Sequence, residues 1–576
     1  MMSQSRIIRR INRETLSKNA SKLMLVYVIV FVIAGFFTMR FYGFTWDEAV
    51  GDVFFGERYF HFWTTFNPAY LDFERTDLIT QQRPFNVFSS SYKDKPNEFL
   101  PVGNTVSGMM EEIFSYRLGW LDPIDGFHFG KVVLAALLLW VLYHFVAPRL
   151  GKLTAAFAVL ILSTYPRFWG DMHFNPLDIP ASIFFAFTIF AFYIWTENPS
   201  WRQAAITGVL FGWALGSKAT SHFIPVVLLL GTFPWQLLPR IWIPAIAHVR
   251  KYIGHYTLMI LLGPIVFFVS WPYLWGDPNR LLVYYDFIFT EGYTRGTQSW
   301  NWDPLVQALT TMPEIDLMLL LIGIMVAIYQ LFLSFRAQRE ISPQTEISRR
   351  SAPRNDRLLQ LLLVWFAIPI LRASLPGAAN FDGIRHFQEF VPPACLLMAY
   401  GATSLINLAM QFTQRRWIVT SGLALLIVAN IAIIEAKYFP YDYLYYNSLV
   451  GGLKGMQQRD VDSTDYWGGS YRQGIQWLNY NVEGGTQVHV AIAPWIVKLA
   501  SPIWLRSDIN IIEEPVVKMK IDQGYPVYAM FITRPGWYNN VANYAVQNLK
   551  PIHQIDVDGA MVLVIYRLTD VKDIPN

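Results

Sequence analysis

Two adjacent carboxylates, Asp47 and Glu48, are the strongest candidates for chemistry in this sequence. They follow an apolar run from about Leu23 to Thr38 and an aromatic stretch that includes Phe44 and Trp46. Carboxylates held near an apolar phase have a raised pKa and are costly unless they are paired or used. Such a group can accept a proton from a hydroxyl that attacks a sugar. The alternative is the ordinary solvation of acids at the end of a membrane helix.

A second acidic loop, residues 167–178, contains Asp171, His173 and Asp178. These side chains could add a second acidic contribution to a shared cavity. A histidine with two aspartates can also bind a metal ion, but the spacing matches no specific metal signature. We therefore expect no required cofactor, with a divalent metal as the open alternative. The other reading of this loop is a polar turn bracketed by two prolines.

Two cations belong to the same group of candidates. Lys218 lies in the turn Gly-Ser-Lys-Ala-Thr between two apolar runs, and Arg385 lies in the stretch Asp-Gly-Ile-Arg-His before another. Lys218 either binds a lipid-linked phosphate or extends toward lipid headgroups. Arg385 either grips phosphate oxygens at two points or pairs with Asp382. Together, two cations and two acidic loops describe a site for an anionic leaving group and a base.

The elements that must position these residues are membrane helices. Of the 576 residues, 53% are hydrophobic and 15% are charged, whereas soluble domains contain roughly 25% charged residues. Apolar runs near the bilayer-spanning length recur along most of the chain. The net charge of +4 does not suggest a nucleic-acid partner, and a single cysteine, Cys395, excludes an intrachain disulfide and a Cys-based metal site. We predict a polytopic α-helical membrane protein.

The apolar runs predict about eleven spans, the first of them uncleaved. They lie near Leu23–Thr38, Lys131–Pro148, Leu153–Tyr165, Ile179–Trp195, Ala204–Gly216, His222–Trp235, Tyr256–Trp271, Ile315–Phe335, Leu358–Leu375, Phe390–Leu408 and Ile418–Ile434. The predicted regions are a basic N-terminus (1–22), a membrane module (23–434) with a first outer loop (40–130) and a cytoplasmic polar loop (336–357), and a soluble C-terminal domain (435–576).

Orientation follows from the basic residues of the short loops, which favour the cytoplasmic side. With eleven spans, all the basic loops fall on the same side as the basic N-terminus: Pro148–Lys152, Arg240–Lys251, Arg336–Arg357 and Gln411–Trp417. The N-terminus is therefore predicted to be cytoplasmic. An odd number of spans then places the C-terminal domain outside the cell membrane.

The composition changes sharply in the last 140 residues or so, from residue 435 onward. Strands are predicted at Val488–Ala493, Asn510–Ile512, Val527–Ile532 and Ala560–Arg567, and helices at Arg472–Tyr480 and Asn540–Leu549. This pattern predicts a small extracytoplasmic α/β domain.

The ordered set of motifs resembles the GT-C glycosyltransferases, in particular the protein O-mannosyltransferase and aminoarabinose transferase branch, including bacterial dolichyl-phosphate-mannose-protein mannosyltransferase-like members. An Asp-Glu pair directly follows the first span. The further similar segments are the Asn175–Pro180 loop, the Gly212–Lys218 turn, Gly383–His386, Tyr445–Gly452 and Asp465–Gly468.

This resemblance implies a polyprenyl-phosphate sugar donor, transfer outside the cytoplasm and inversion at the anomeric carbon. Asp47 would be the base, and Glu48 would help to orient the acceptor, a protein hydroxyl or a glycolipid. Lys218, Arg385 and His386 would face the donor phosphate. Aminoarabinose transferases often carry Arg-Tyr soon after the acidic pair, but here Ala-Val-Gly follows and Arg-Tyr comes only at residues 58–59. This departure leaves the acceptor type open.

The alternatives to a glycosyltransferase are two other classes of membrane protein. A membrane transporter or lipid flippase commonly shows internal repeats, but no repeat is visible here and eleven spans do not divide evenly. An assembly or sensor protein would use the C-terminal domain to bind a partner and would leave Asp47, Glu48, Lys218 and Arg385 as unrelated interface residues. The expected partners of the enzyme are the lipid-linked donor, the acceptor and membrane lipids.

Topology is directly testable with reporters fused at the C-terminus. Because the basic loops are predicted to be cytoplasmic, alkaline phosphatase fused there should be active and a fluorescent protein that folds only in the cytoplasm should be dark. Fusions after Lys152 serve as the control and should behave in the opposite way. An inactive phosphatase with a bright cytoplasmic reporter at the C-terminus would contradict the predicted number of spans.

Overall fold

The computed structural model describes residues 2–73, 99–233, 242–292, 294, 296–340, 355–459 and 464–568. Up to residue 438, all the regular secondary structure in the described residues is helical. The α-helices are α1 (Met2–Thr38), α2 (Val53–Thr65), α3 (Pro101–Glu111), α4 (Pro123–Leu150), α5 (Lys152–Ser163), α6 (Pro166–Asp171), α7 (Asp178–Glu197), α8 (Trp201–Leu215), α9 (Ile224–Thr232), α10 (Trp242–Ser270), α11 (Asn279–Glu291), α12 (Asp303–Thr310), α13 (Glu314–Glu340), α14 (Asn355–Ala373), α15 (Val391–Ala409) and α16 (Arg416–Tyr438).

Each of the eleven predicted spans overlaps a helix, with residues 234–235 of the sixth outside the described residues, and this confirms a polytopic helical membrane protein. Within the described residues, seven helical segments are long and apolar enough to cross a membrane: Ala20–Phe41, Pro123–Leu150, Asp178–Glu197, Ala247–Ser270, Glu314–Ser334, Gly383–Ala409 and Arg416–Tyr438. The segments Lys152–Ser163 and Ala219–Thr232 are apolar but shorter. The exact number of eleven stays a prediction. Most of the predicted polar loop, residues 341–354, lies outside the described residues.

The long helices differ in how much of their surface faces other helices. The spans in α4 and α7 are mostly buried, whereas those in α13 and α16 are buried over 22% and 17% of their residues. Helices that are apolar on all sides but poorly covered by protein are expected to face lipid. Thus α4 and α7 form the centre of the bundle, and α13 and α16 lie at its periphery.

Helix α4 begins at Pro123, eight residues before the predicted span and inside the predicted outer loop (40–130). The Asp122 side chain accepts a hydrogen bond from the backbone N–H of Asp125 at 2.9 Å, and Pro123 occupies the first turn. Both features favour a helix start at this point. The helix therefore includes His128 and Lys131, which lie one turn apart on it.

The C-terminal part contains helices around a five-stranded sheet, as predicted. Its elements are α17 (Gly452–Gln457), α18 (Tyr471–Asn481), β1 (Gln487–Val490), α19 (Pro494–Trp504), β2 (Asn510–Ile512), α20 (Val517–Asp522), β3 (Val527–Ile532), α21 (Asn540–Asn548), β4 (His553–Val557) and β5 (Ala560–Arg567). The strand order is β2-β1-β3-β5-β4; β1 pairs in parallel with β2 and β3, and β5 is antiparallel to β3 and β4.

All four predicted strands are present, and two details differ. The strand predicted to end at Ala493 stops at Val490, because Ala493 has φ 47° and α19 starts at the next residue. The edge strand β4 was missed, because its polar sequence His-Gln-Ile-Asp-Val does not read as a buried strand.

The C-terminal domain packs directly on the segment that follows α1. Phe44 and Val53 belong to the same buried apolar cluster as Tyr471 and Ile475. A Cβ atom added to Gly43 would lie 1.9 Å from the carbonyl oxygen of Gly469, so only glycine permits this approach. The residues around Asp47 are therefore held between the helix bundle and the C-terminal domain.

Candidate functional site

Asp47 and Arg385 form an ion pair at the junction of the bundle and the C-terminal domain. A guanidinium nitrogen (Nη1) of Arg385 donates to Oδ2 of Asp47 at 3.1 Å. The Asp47 side chain is 33% exposed, whereas that of Arg385 is 14% exposed. Asp47 lies nine residues after the end of α1 and immediately precedes a short π-helical turn, Glu48–Asp52. The carboxylate is thus fixed by the main chain and still reachable from outside.

The ion pair is one link in a chain of alternating charges. Asp382 lies 3.8 Å from Arg385 and accepts a 2.9 Å hydrogen bond from Arg534 of the C-terminal domain. Asp382 has φ 58°, a left-handed backbone conformation that non-glycine residues rarely adopt. Arg385 also lies over the ring of Trp467, 4.5 Å from its centroid. Two side chains that follow the last membrane helix therefore help to position Arg385.

Trp467 is held by a tight turn. The Asp465 carboxylate accepts hydrogen bonds from the backbone N–H groups of residues 468–470 and from the Tyr443 hydroxyl, at 2.7–3.2 Å. The backbone N–H of Trp46 donates to the Trp467 carbonyl at 2.9 Å. This hydrogen bond joins the turn directly to the neighbour of Asp47.

Lys218 reaches the same site from the end of α8. Its ammonium pairs with Asp178 and donates to the backbone carbonyl of Arg385 at 3.1 Å. Asp178 also accepts a 2.7 Å hydrogen bond from Asn175. The structure thus brings together four of the residues predicted for the site: Asp47, Asp178, Lys218 and Arg385.

His386 adjoins Arg385, and its ring packs edge-on against Phe381 with the centroids 4.6 Å apart. Its Nε2 lies 3.5 Å from Nε of Arg385. Its backbone carbonyl accepts a hydrogen bond from Arg372 at 2.5 Å. His386 therefore lies beside Arg385, and its predicted contact with a donor phosphate stays a prediction.

The second acidic loop divides into two environments. Asp171 is buried beneath the site and accepts a 2.7 Å hydrogen bond from the Gln388 side chain. Burial and the nearby charge of Asp178 raise the pKa of Asp171 to about 7. Asp171 therefore titrates much closer to neutral pH than an ordinary aspartate does.

His173 points away from the two aspartates. Its Nδ1 bonds the Trp169 carbonyl at 2.7 Å, its Nε2 lies 2.8 Å from the Thr38 hydroxyl, and its ring stacks on Tyr42 at 3.9 Å. With both ring nitrogens engaged, His173 does not share a ligand position with Asp171 or Asp178. Over the described ranges, no group of three or more His, Cys, Asp or Glu side chains is placed to hold a metal ion.

Glu48 has a role different from that of its neighbour. Its Oε2 lies 3.0 Å from Nε2 of His128 and accepts a 2.8 Å hydrogen bond from the Thr45 hydroxyl, and its Oε1 lies 3.3 Å from Nζ of Lys131. The side chains of Glu48, His128 and Lys131 are all fully buried. That Glu48 helps to orient the acceptor stays a prediction, and in the observed structure its contacts are with buried protein groups. Glu48 instead ties the turn after α1 to α4.

The electrostatics of Glu48 agree with this role. Burial raises the pKa of a carboxyl, but the charges of His128 and Lys131 outweigh burial here and hold the pKa of Glu48 below its ordinary value. One helical turn further on, Asp52 accepts a 2.7 Å hydrogen bond from Asn104, and burial raises its pKa well above the usual range. The segment from residue 47 to residue 52 thus carries one partly exposed carboxylate, Asp47, and two buried ones, Glu48 and Asp52.

Sequence reasoning missed His128, Lys131, Trp467 and Arg534 as parts of the site. His128 and Lys131 are three residues apart and therefore share one face of a helix. This signal was missed because the predicted span began at residue 131 and left His128 in the predicted loop. Trp467 lies in a motif that the resemblance had already singled out. Arg534 follows a strand far along the chain, and no local signal connects it with Asp382.

The sequence of this region matches a known family. The family model described as dolichyl-phosphate-mannose-protein mannosyltransferase matches residues 119–271, which include α4 to α10 and carry Lys131, Asp171, Asp178 and Lys218. This match confirms the predicted resemblance to GT-C glycosyltransferases of the protein mannosyltransferase type. The match covers 153 of the 576 residues and does not include Asp47, Glu48 or Arg385. No curated protein sequence matches the chain.

Several solved structures resemble the fold at low sequence identity. ArnT from Cupriavidus metallidurans bound to undecaprenyl phosphate is 12% identical, with a TM-score of 0.45, over 94% of this chain and 97% of that one. Its apo form gives 12% identity and a TM-score of 0.46 over 95% and 98%. The archaeal oligosaccharyltransferase AglB from Archaeoglobus fulgidus is 12% identical, with a TM-score of 0.43, over 95% and 75%.

The two adjacent acids should respond differently to neutral substitution. Glu48→Gln leaves the ammonium of Lys131 buried without its carboxylate, a change that typically costs about 3–5 kcal/mol. We expect a clear fall in the unfolding temperature of purified protein, and partial recovery in the double variant Glu48→Gln/Lys131→Met. Asp47→Asn is the matched control and should unfold close to the wild type. Equal unfolding temperatures for wild type and Glu48→Gln would contradict the anchoring role.

Proposed function

We propose that this membrane protein is a glycosyltransferase that moves a sugar from a polyprenyl-phosphate donor to a hydroxyl acceptor outside the cytoplasm, with inversion at the anomeric carbon. The observation that carries the proposal is the contact between a partly exposed carboxylate, Asp47, and a cation, Arg385, to which a second cation, Lys218, is joined. Such a reaction needs a proton acceptor on one side of the sugar and positive charge for a leaving phosphate on the other.

Asp47 is proposed as the base. As the acceptor oxygen bonds to the anomeric carbon, its proton passes to the Asp47 carboxylate, and the carbon–oxygen bond to the phosphate breaks with its electron pair staying on the phosphate oxygen. Glu48 cannot take this role in the observed conformation, because its side chain is fully buried and both oxygens are engaged. We assign Glu48 to holding Asp47 in position.

Arg385, Lys218 and His386 are proposed to face the donor phosphate. Arg385 offers a planar pair of donors that matches two phosphate oxygens, and Lys218 adds a compact charge next to it. An inverting displacement places base and leaving group on opposite sides of the sugar. The sugar therefore has to enter between Asp47 and Arg385, and their ion pair has to open when the donor binds.

The donor is proposed to be lipid-linked because of where the site lies. Asp47 follows a candidate membrane span by six residues, and Arg385 lies near the start of another. A lipid carrier can reach this position laterally from the bilayer. The family model, described as a dolichyl-phosphate-mannose-protein mannosyltransferase, is consistent with such a donor and with a protein acceptor. The proposed reaction uses no divalent metal, since the two cations can balance the leaving phosphate.

The test is transfer from purified donors in nanodiscs. We expect wild-type protein to transfer sugar from a polyprenyl-phosphate carrier and not from a nucleotide sugar. Asp47→Asn should lower the rate by about 10²–10⁴-fold, because it removes the proton acceptor at nearly constant size. A chelator should leave the rate unchanged. Efficient transfer from a nucleotide sugar would refute the donor, and a rate close to wild type in Asp47→Asn would refute the base.

Arg385 offers a separate test of phosphate binding. Arg385→Ala should slow transfer strongly, and Arg385→Lys should recover only part of the rate, because lysine lacks the planar two-point grip. The matched control is Arg280→Ala, which removes an arginine from outside the site; Arg280 donates to the Tyr273 carbonyl. The rates and the donor concentration dependence of all three variants decide the outcome. Full recovery in Arg385→Lys would show that point charge alone is sufficient.

A further inference from the structure

We propose a second ligand site at the opposite end of the bundle, where a polar cavity binds the phosphate group of an anionic membrane phospholipid. The cavity has a volume of about 340 Å³ and lies between the turn joining α4 to α5, α13, α15 and the start of α16. The lining residues that carry the argument are Lys152, Thr154, Thr403, Ser404, Asn407 and Arg416.

Helix α4 connects the cavity to the site near Asp47 and sets the distance between them. Lys131, on the first half of α4, contacts Glu48, and Leu150, the last residue of the same helix, lines the cavity. At 1.5 Å per residue, these two positions are roughly 28 Å apart along the helix axis. A ligand in the cavity therefore cannot touch the proposed sugar-transfer site, and the two sites are independent.

The cavity carries uncompensated positive charge. Lys152 is the first residue of α5 and Arg416 is the first residue of α16, so two helix N-termini, with their partial positive charge, also converge here. In the described part of the chain, neither of these two cations forms an ion pair, and no carboxylate is among the lining residues. Among the described residues, the guanidinium of Arg416 has one hydrogen-bond partner, the side-chain oxygen of Asn407 at a long 3.5 Å.

Hydroxyl groups complete the lining. Thr154 donates to the Leu150 carbonyl at 2.8 Å, which satisfies an acceptor at the C-terminal end of α4. Its oxygen lies 3.2 Å from that of Thr403, and both threonines are buried at the base of the cavity. Ser404 and Asn407 lie further along the same helix as Thr403. A guanidinium, an ammonium and several neutral polar groups around one cavity match the needs of a phosphate ester.

The surroundings indicate a lipid as the source of the phosphate. Large exposed apolar side chains lie within two residues of lining residues on the same helices: Phe332 on α13, Leu408 on α15 and Trp417 on α16. The candidate spans in α13 and α16 are also the two peripheral helices described above. Acyl chains would therefore find an apolar surface beside a cationic headgroup site. Basic pockets between membrane helices on the cytoplasmic side bind anionic headgroups in this way, and the loops here are the ones predicted to be cytoplasmic.

The experiment compares lipid and phosphate binding to the full-length protein and makes no use of glycosyl transfer, so its result is independent of the proposed function. The cavity variant is Lys152→Ala/Arg416→Ala. The matched control is Lys251→Ala/Arg415→Ala, which removes two exposed cations that do not line the cavity. The unfolding temperature is measured at increasing concentrations of phosphatidylglycerol, phosphatidylcholine or inorganic phosphate. The number of lipids retained by the protein is counted by native mass spectrometry.

We expect phosphatidylglycerol, but not phosphatidylcholine, to stabilise the wild type and the control variant, with at least tenfold weaker apparent affinity in the cavity variant. Wild type should retain one phosphatidylglycerol more than the cavity variant. Arg416→Lys retains the positive charge and should keep part of the stabilisation by phosphatidylglycerol. That result would show that the loss of binding in the cavity variant does not reflect misfolding. Equal lipid stabilisation of cavity and control variants would overturn the site. Stabilisation by inorganic phosphate equal to that by phosphatidylglycerol would overturn the lipid as its ligand.

Discussion

The arrangement of the candidate site depends on the burial of Glu48. A carboxylate removed from water must be compensated, and this one is compensated by His128 and Lys131 on α4. These contacts fix the turn after α1 against the central helix of the bundle. Since Asp47 precedes Glu48 directly, its side chain projects from the anchored turn toward the surface. Two chemically similar neighbours thus have different surroundings, because Glu48 is fully buried and Asp47 is partly exposed.

The C-terminal domain is part of this arrangement and not an appendage. Arg534 shares Asp382 with Arg385, so the position of the cation depends on a strand end in the domain. On the other side, the Trp46 ring makes edge contacts with Trp495 and Trp537 of the domain, at centroid distances of 5.1 and 5.5 Å. Both members of the Asp47–Arg385 pair therefore have a neighbour held by the domain. If the domain moved away, the base and the cation would both lose support.

Which of these features could be predicted from the sequence depends on how far apart along the chain the interacting residues lie. Helices and most strands were predictable because apolar periodicity is local. The meeting of Asp47, Lys218 and Arg385 was predictable because membrane topology places loop residues at one end of the bundle. The burial of Glu48 was not predictable, because its partners His128 and Lys131 lie 80 and 83 residues away in the sequence. In addition, His128 lay inside the predicted outer loop. The contact between Arg534 and Asp382 spans 152 residues and depends on how the domain docks.

The charges of the site also suggest why the proposed base would act only when a donor is bound. In the observed state, the carboxylate of Asp47 is paired with Arg385 and that of Asp178 with Lys218. Each pair turns a carboxylate oxygen toward a cation and not toward an acceptor hydroxyl. A donor phosphate would compete for both cations, and the sugar attached to it would separate Asp47 from Arg385. The Asp47 carboxylate would then be free to contact the acceptor hydroxyl when an anionic leaving group is in place. The ion pairs therefore hold the proposed base away from the acceptor until the donor displaces them.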